Sequence, residues 1–332
     1  MDLDTQAFDL AGGHYALGFA QGARTARFET PPWWPAPPDL AFAQACAAVI
    51  AEAHAPLLDE LRGYADAQQL PYGDLLRGIC RRSLKLRARA PSYPEGGCSS
   101  YARVDAAGQV RAGHNYDFYP IQRVRQRVRL APEIGRPSVG MRGSVPAGRY
   151  DGVNDQGLFV SLHVVLSDEP AAIRPGVPFH LLPRLALETC ATTRQAVDWL
   201  TRLPHLNPFN YLLADASGDL AVVEAHPERV RVRGPQAGPD GRPVIAAANH
   251  FAHPDMRPLQ AGRQSAASQA RQRALEAGAP LSDHAAGLCG HAGGHTTLWS
   301  VTADLTARTV AFAAGAPCQA PYRPEPWPGL AP

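Results

Sequence analysis

Hydrophobic and polar positions change rhythm along this chain near residue 98. Before it, apolar residues recur at helical spacing; after it, short alternating runs are separated by turns. Residues 1–30 predict a short strand followed by a helix over Ala16–Arg27. Thr30–Pro38 reads TPPWWPAPP, a proline-rich surface loop whose Trp33 and Trp34 either pack on the body or cover a cleft mouth. Residues 39–65 predict one helix, Pro71-Tyr72-Gly73 a break, and Asp74–Ala88 another helix. Cys98–Val104 then tends to alternate, Ala106-Ala107-Gly108 reads as a turn, and Gln109–Asn115 reads as the return strand of a hairpin. Further helices are predicted over Phe179–Leu187, Thr193–Arg202 and Ala266–Ala277. Strands are predicted at Tyr211–Ala214, Leu220–Ala225 and Val230–Arg233, with a last hairpin from Trp299–Asp304 and Thr309–Ala313. Gly315–Pro332 is proline-rich and expected to wrap the surface. Strands flanked by helical blocks give an α+β fold class.

Composition narrows the classes of function. With 332 residues, 45% of them hydrophobic, the chain can bury a sizeable core. A net charge of +2 gives no reason to expect nucleic acid or an acidic membrane as partner. The basic stretches Arg81–Arg89 and Arg123–Leu130 therefore read as solvated faces. No apolar run approaches the ~18 residues of a membrane span. The acidic N-terminus lacks the regions of a signal peptide. Six scattered cysteines, at 46, 80, 98, 190, 289 and 318, form no paired motif, so a disulfide framework is not expected and a reducing cytoplasm is the expected location. Cys46, Cys80 and Cys190 fall in helical patterns and read as core packing.

The chemistry concentrates at Gly96-Gly97-Cys98-Ser99-Ser100. A cysteine that cuts the bond before itself becomes a new N-terminus carrying a thiol and an amine together. The amine has a pKa of about 7.7–8.0 and the thiol about 8.5, so the amine can take the thiol's proton without a histidine. Pro91, Pro94, Gly96 and Gly97 break any helix before Cys98, and small residues let the thiol approach the preceding carbonyl. Residues facing each other across a hairpin have Cβ atoms about 5 Å apart, which would bring the Asp117 carboxylate towards the new amine. The structural alternatives are a small buried hydrophobe for Cys98 and a surface or turn carboxylate for Asp117.

These residues resemble the N-terminal-nucleophile cysteine hydrolases, above all the acyl-coenzyme A:6-aminopenicillanic acid acyltransferase family, with choloylglycine hydrolases and penicillin V acylases as relatives. The resemblance rests on Gly97-Cys98-Ser99-Ser100 and Gly113-His114-Asn115-Tyr116-Asp117-Phe118. Phe8–Tyr15 with Gly18 and Gln21-Gly22, Leu58–Tyr64, Gly152–Leu158, Asp215–Gly218, Ala248–Phe251 and Thr297–Ser300 support it in the same order. It implies a four-layer αββα sandwich. It also implies Cys98 as nucleophile, Asp117 as the group that holds its amine, and Asn249 as an oxyanion donor. Residues 1–97 become a mainly helical precursor segment and 98–332 the catalytic segment, cut at Gly97–Cys98 and remaining together as one structural domain. The expected partners are a small-molecule amide or acyl substrate and the chain's own cleaved fragment. No cofactor is expected.

Two positions depart from the relatives. His114 stands where many have arginine, and His163 where they have an asparagine of the oxyanion region; a second arginine is missing near Ser300. A neutral histidine can donate one hydrogen bond, so His163 can still serve an oxyanion, but His114 cannot grip a carboxylate bidentately. These gaps argue against a bile-salt or penicillin V substrate. His114, Asn115, Tyr116 and Trp299 are the expected substrate contacts. The aromatics among them, with Tyr101, Phe118 and Tyr119, read as an acyl pocket or as core.

Rival constellations are weak. Cys289-Gly290-His291-Ala292-Gly293-Gly294-His295 has metal-like spacing, but its glycines oppose a helix and no glutamate follows the first histidine, so no metal is expected. No G-x-S-x-G elbow, P-loop or dinucleotide fingerprint occurs. Two alternatives stay open: a thiol hydrolase using His163, His250 or His295 as base without cleavage, and an unprocessed relative acting as a binding protein.

Overall fold

The computed structural model describes residues 8–30, 32, 36–84, 97–119, 126–167, 173–260, 266–291 and 296–329. Trp33 and Trp34, the approach to the proposed cut at 85–96, and residues 292–295 lie outside them.

The chain opens with β1 (Phe8–Gly12) and four helices, α1 (His14–Arg24), α2 (Leu40–His54), α3 (Pro56–Ala67) and α4 (Tyr72–Leu84). The single helix expected over 39–65 is in fact α2 and α3. Pro56 has no N–H and cannot continue a helix, but it suits a first turn, so α3 begins there. Next come β2 (Ser99–Val104), β3 (Val110–Phe118), β4 (Arg127–Pro132), β5 (Ser138–Met141), β6 (Asp151–Asn154) and β7 (Phe159–Val164). Helices α5 (Leu181–Thr189) and α6 (Thr193–Arg202) lead into β8 (Phe209–Ala214), β9 (Leu220–His226), β10 (Arg229–Arg233), β11 (Gln236–Ala237) and β12 (Pro243–Ala247). Helix α7 (Ala266–Glu276) precedes β13 (Thr296–Asp304), β14 (Thr309–Ala313) and β15 (Arg323–Glu325).

The strands form two sheets. One runs β1-β4-β5-β6-β7-β8-β9-β10 and the other β11-β12-β2-β3-β13-β14-β15. They face each other where β2 and β12 pack on β8 and β9. Helices α5 and α6 cover the outer face of the first sheet, and α7 covers β2 and β12 of the second. The result is the four-layer αββα sandwich that the sequence resemblance implies. Strands β7, β8 and β9 are almost wholly buried, as expected of strands covered on both faces.

The β2–β3 hairpin forms as predicted. Asp105 Oδ1 accepts from the Ala107 and Gln109 amides at 2.9 and 3.0 Å, and Gly108 takes φ +76°. β3 runs on to Phe118, beyond the expected Asn115. Within the proline-rich tail, Arg323–Glu325 adds an edge strand to β14.

Helices α1 and α3 meet through two glycines. A Cβ at Gly18 would overlap the Glu60 carbonyl, and one at Gly63 the Tyr15 carbonyl. Because the obstacle is backbone, no side chain can swing away. Gly18→Ala is therefore expected to lower stability by about 3 kcal/mol, the upper end of ordinary overpacking, read as an earlier urea midpoint. An unchanged midpoint would mean that the two helices separate freely.

Candidate active site

Cys98 lies one residue before β2, and in register β2 pairs Ser99 with Asn115. That places the thiol beside the end of β3, where Cys98 Sγ donates to the Asp117 carbonyl oxygen at 3.8 Å. The residue is 5% exposed. Burial first, then the Asp117 charge, pushes the thiol's pKa up to about 12 against an opposing pull from Arg271. At neutral pH it carries its proton and needs a base.

Asp117 is buried too. Desolvation pushes its carboxyl up to about 7, while a hydrogen bond from the Thr297 side chain and the charge of Arg271 hold it down. The Thr297 contact depends on an irregularity in β13. Thr297 pairs with Asp117 and Trp299 with Tyr116, so a bulge at Leu298 turns the two side chains to opposite faces. Asp117 is thus a buried carboxyl that ionises near neutrality, as a general base requires.

Gly97 fixes the other side. A Cβ there would overlap Asn249 Oδ1 and press on Arg271 Nη2, so a larger residue at 97 would have to displace both side chains. Arg271 Nη2 donates to Asn249 Oδ1 at 3.0 Å, and Arg271 Nε donates to Ser99 Oγ at 3.0 Å. Asn249 Nδ2 in turn donates to the Val164 carbonyl at 3.0 Å. With Arg271 as donor and Val164 as acceptor, the amide's oxygen edge faces Gly97. The peptide bond between Gly97 and Cys98 is thereby flanked by Asn249, Arg271 and Asp117.

The other expected residues lie deeper. His163 is fully buried, with its ring edge on His114 at 5.2 Å, and burial followed by the His114 charge holds its pKa well below the ordinary range. Among the described residues no hydrogen bond joins His163 to Gly97, Cys98 or Asn249. His114 Nδ1 and Trp299 Nε1 both meet Asp151 Oδ2 at 2.8 Å, and the Met141 amide donates to Asp151 Oδ1 at 3.1 Å. Tyr116 stacks on Trp299 at 4.0 Å, and Tyr150 lies 4.6 Å from Tyr116. These side chains form a packed floor between the sheets. Asn115 points away from them, donating to the Leu281 and Leu288 carbonyls at 2.8 and 2.7 Å. His250 hydrogen-bonds Ser268 Oγ at 2.8 Å.

Sequence reasoning missed Arg271 and Asp151. Arg271 had a readable signal. Ser268, Arg271, Gln272 and Leu275 recur at i, i+3, i+4 and i+7, so the spacing that buries Leu275 also buries the arginine. Asp151 had none, because its partners lie 10, 37 and 148 residues away.

One cluster among the described residues brings metal-type donors together: His14, His54 and Glu188. Both imidazole Nε2 atoms meet Glu188 Oε1, at 2.5 and 2.7 Å, and Arg184 pairs with its other oxygen. The carboxylate is satisfied by side chains alone. Of the metal-like Cys289–His295 stretch, His291 stacks on His284 at 4.3 Å and the rest of the histidine motif lies outside the described residues.

No curated protein matches the chain. Solved structures with some likeness include a conjugated bile acid hydrolase variant from Clostridium perfringens, with 13% identity over 65% of this chain and 89% of that one and a TM-score of 0.46. Penicillin V acylase from Agrobacterium tumefaciens gives 18% identity over 65% and 83%, with a TM-score of 0.43. The Caenorhabditis elegans ortholog of N-acylethanolamine-hydrolyzing acid amidase gives 18% over 63% and 93%, also at 0.43. A family model matches residues 106–288, more than half of the chain, and spans Asp117, Asn249 and Arg271 while beginning after Cys98. On that match the chain belongs to the acyl-coenzyme A:6-aminopenicillanic acid acyl-transferase family.

Proposed function

We propose that this protein cuts itself between Gly97 and Cys98 and then uses Cys98 as the nucleophile on a linear amide. The observation that carries this reading is the seat of the Gly97–Cys98 peptide bond between a buried thiol, a carboxyl that ionises near neutrality and a buried guanidinium.

In the first reaction Asp117 takes the thiol's proton as sulfur attacks the Gly97 carbonyl carbon. Arg271, held in place by Asn249 and Ser99, offsets the charge on the resulting oxyanion. This reassigns the oxyanion role expected of Asn249: its carboxamide oxygen faces Gly97, so it orients the guanidinium. The intermediate collapses by breaking the Gly97 C–N bond, and the departing Cys98 amine takes a proton. Water then hydrolyses the thioester, giving a Gly97 carboxylate and a free thiol. In the second reaction the new amine, with a pKa of about 7.7–8.0, accepts the thiol's proton. The thiolate attacks the substrate amide, an amine leaves, and an acyl-thioester remains. Water as acceptor gives hydrolysis; a second amine gives acyl transfer. The substrate is a small-molecule amide or acyl donor, and residues 1–97 stay with the body.

Intact mass under denaturing conditions tests the first reaction. Two pieces of about 10 and 25 kDa, the larger beginning at Cys98, are expected; a persistent single chain of 35.5 kDa would overturn it.

Asp117 gives the cut a pH dependence. Its ionised form is the base, so the rate of processing should rise through a midpoint of about 7 and level off above it. Asp117→Asn should process slowly at every pH. It should also be more stable than the parent at pH 8. Because the folded state holds the Asp117 proton more tightly than the unfolded chain, stability falls as pH rises from 3.8 to about 7. The cost of ionisation is on the order of 4 kcal/mol at about 1.4 kcal/mol per tenfold, and asparagine avoids it. Processing that stayed flat with pH in the parent would remove Asp117 as the base.

A further inference from the structure

Cys289 and Cys318 stand apart from the machinery above. Cys289 ends the segment that follows α7, fully buried, with its carbonyl held by His284 Nδ1 at 2.7 Å. Cys318 sits exposed on a single turn at 316–320, where the Gln319 and Ala320 amides donate to the Ala316 carbonyl at 2.9 and 2.8 Å. Twenty-nine residues separate the two cysteines, and their sulfurs are 2.9 Å apart. A disulfide needs about 2.05 Å, so a shift of under an ångström closes it. Cys46 and Cys80 are also neighbours, but both are buried and screened from a reagent.

The surroundings give such a closure a consequence. The residue after Cys289 is tied to β13 twice: Thr297 N donates to the Gly290 carbonyl at 2.7 Å, and Gly290 N donates to Thr297 Oγ1 at 2.9 Å. The segment around Cys318 belongs to the tail that anchors through Tyr322 Oη on Ser300 Oγ at 2.7 Å and through Trp327 Nε1 on the Asp155 carbonyl at 3.3 Å.

We propose that Cys289 and Cys318 are a redox modification site, a vicinal dithiol that an oxidised low-molecular-weight thiol converts to a disulfide clasping the C-terminal tail. The Cys318 thiolate attacks one sulfur of the oxidant's disulfide, expelling the first small thiol and leaving a mixed disulfide. Cys289, losing its proton to solvent, attacks the Cys318 sulfur and expels the second. Two protein S–H bonds are replaced by one S–S bond, and their two electrons reduce the oxidant to two thiols. Exposure assigns the first attack to Cys318. Burial, the main force pushing Cys289 up to about 12, assigns it the slower resolving step. The clasp ties the tail to the strand that frames the active site and restricts the unfolded chain.

Glutathione disulfide added to the full chain under native conditions is the test, followed by thiol alkylation in denaturant and peptide mapping. The expected result is the loss of two free thiols, a cross-linked pair of peptides carrying Cys289 and Cys318, and a Tm several degrees higher that dithiothreitol reverses. Cys318→Ser, an exposed and conservative change, should abolish the cross-link and leave Tm insensitive to the reagent. A glutathione adduct that persists on Cys318 while Cys289 remains alkylatable, a cross-link joining other cysteines, or six free thiols after treatment would each overturn the proposal. Both cysteines lie beyond Cys98, so the cross-linked pair of peptides, unlike the total thiol count, is a readout that does not depend on whether the chain is cut.

Discussion

Cys98→Ala is expected to leave a full-length, folded and inactive chain. The substitution removes one sulfur from a buried site and leaves the Gly97 backbone against Asn249 and Arg271 unchanged. Losing a small side chain from a packed strand end costs about 1 kcal/mol, too little to unfold a domain of this size. Processing and amide turnover should nevertheless both fall to background, because the one group is nucleophile in each. Intact mass reports the first and amine release from an amide panel the second. Amide turnover that survived with Cys98 gone would remove it from the mechanism. A chain still cut before residue 98 would assign the cleavage to another group. Cys98→Ser separates the roles further. A hydroxyl is a weaker nucleophile than a thiol at this pH, so slow processing with little turnover is expected.

Arg271→Ala should have the next largest effect. This guanidinium touches Ser99 Oγ and Asn249 Oδ1, and its charge acts on both Cys98 and Asp117. Removing a preorganised oxyanion partner typically lowers a rate by about 10²–10³, and that loss is expected in processing. A second readout distinguishes this from a packing defect. Arg271 holds the Asp117 carboxyl down, so the residual rate should show its pH midpoint displaced above about 7. Arg271→Lys keeps the charge but cannot hold Ser99 and Asn249 together. It should restore the midpoint more than the rate. A variant with the parent's rate and midpoint would place Arg271 outside the chemistry.

The sequence made local features legible and left distant ones dark. The β2–β3 hairpin, the turn at Gly108, α6 and the last hairpin follow from spacing and turn residues that lie within a dozen positions of one another. The α2–α3 break was missed because the apolar spacing runs straight across Pro56, which a helix accepts in its first turn. The edge strand at Arg323–Glu325 was hidden because Pro324 argues against a strand, and only an edge accepts one. At the site, Gly97, Cys98 and Asp117 could be singled out because the hairpin brings them together. Arg271 and Asp151 could not be tied to them, since their partners are set by how α7 docks on β2 and how the two sheets face each other. Trp299 and Tyr116 could be read as pocket or core. Their stacking, with the Trp299 hydrogen bond to Asp151, places them in the packed layer between the sheets.

The eight-stranded sheet contains one parallel pair, β1 against β4, in which a strand from before residue 98 pairs with one from after it. A buried ion pair crosses the same boundary, Glu60 to Arg184, and so do the hydrogen bonds that join His14 and His54 to Glu188. If the Gly97–Cys98 bond is hydrolysed, nothing that holds the two pieces together is hydrolysed with it. Unfolding changes in molecularity instead. An intact chain melts and refolds as one species, at a temperature independent of its concentration. The cut chain melts into two and must find its partner again, so its Tm should rise with concentration and its refolding should become second order on dilution. Maturation of this kind is a step that the chain performs easily once, while the sheet is already assembled, and that makes every later assembly slower than the first.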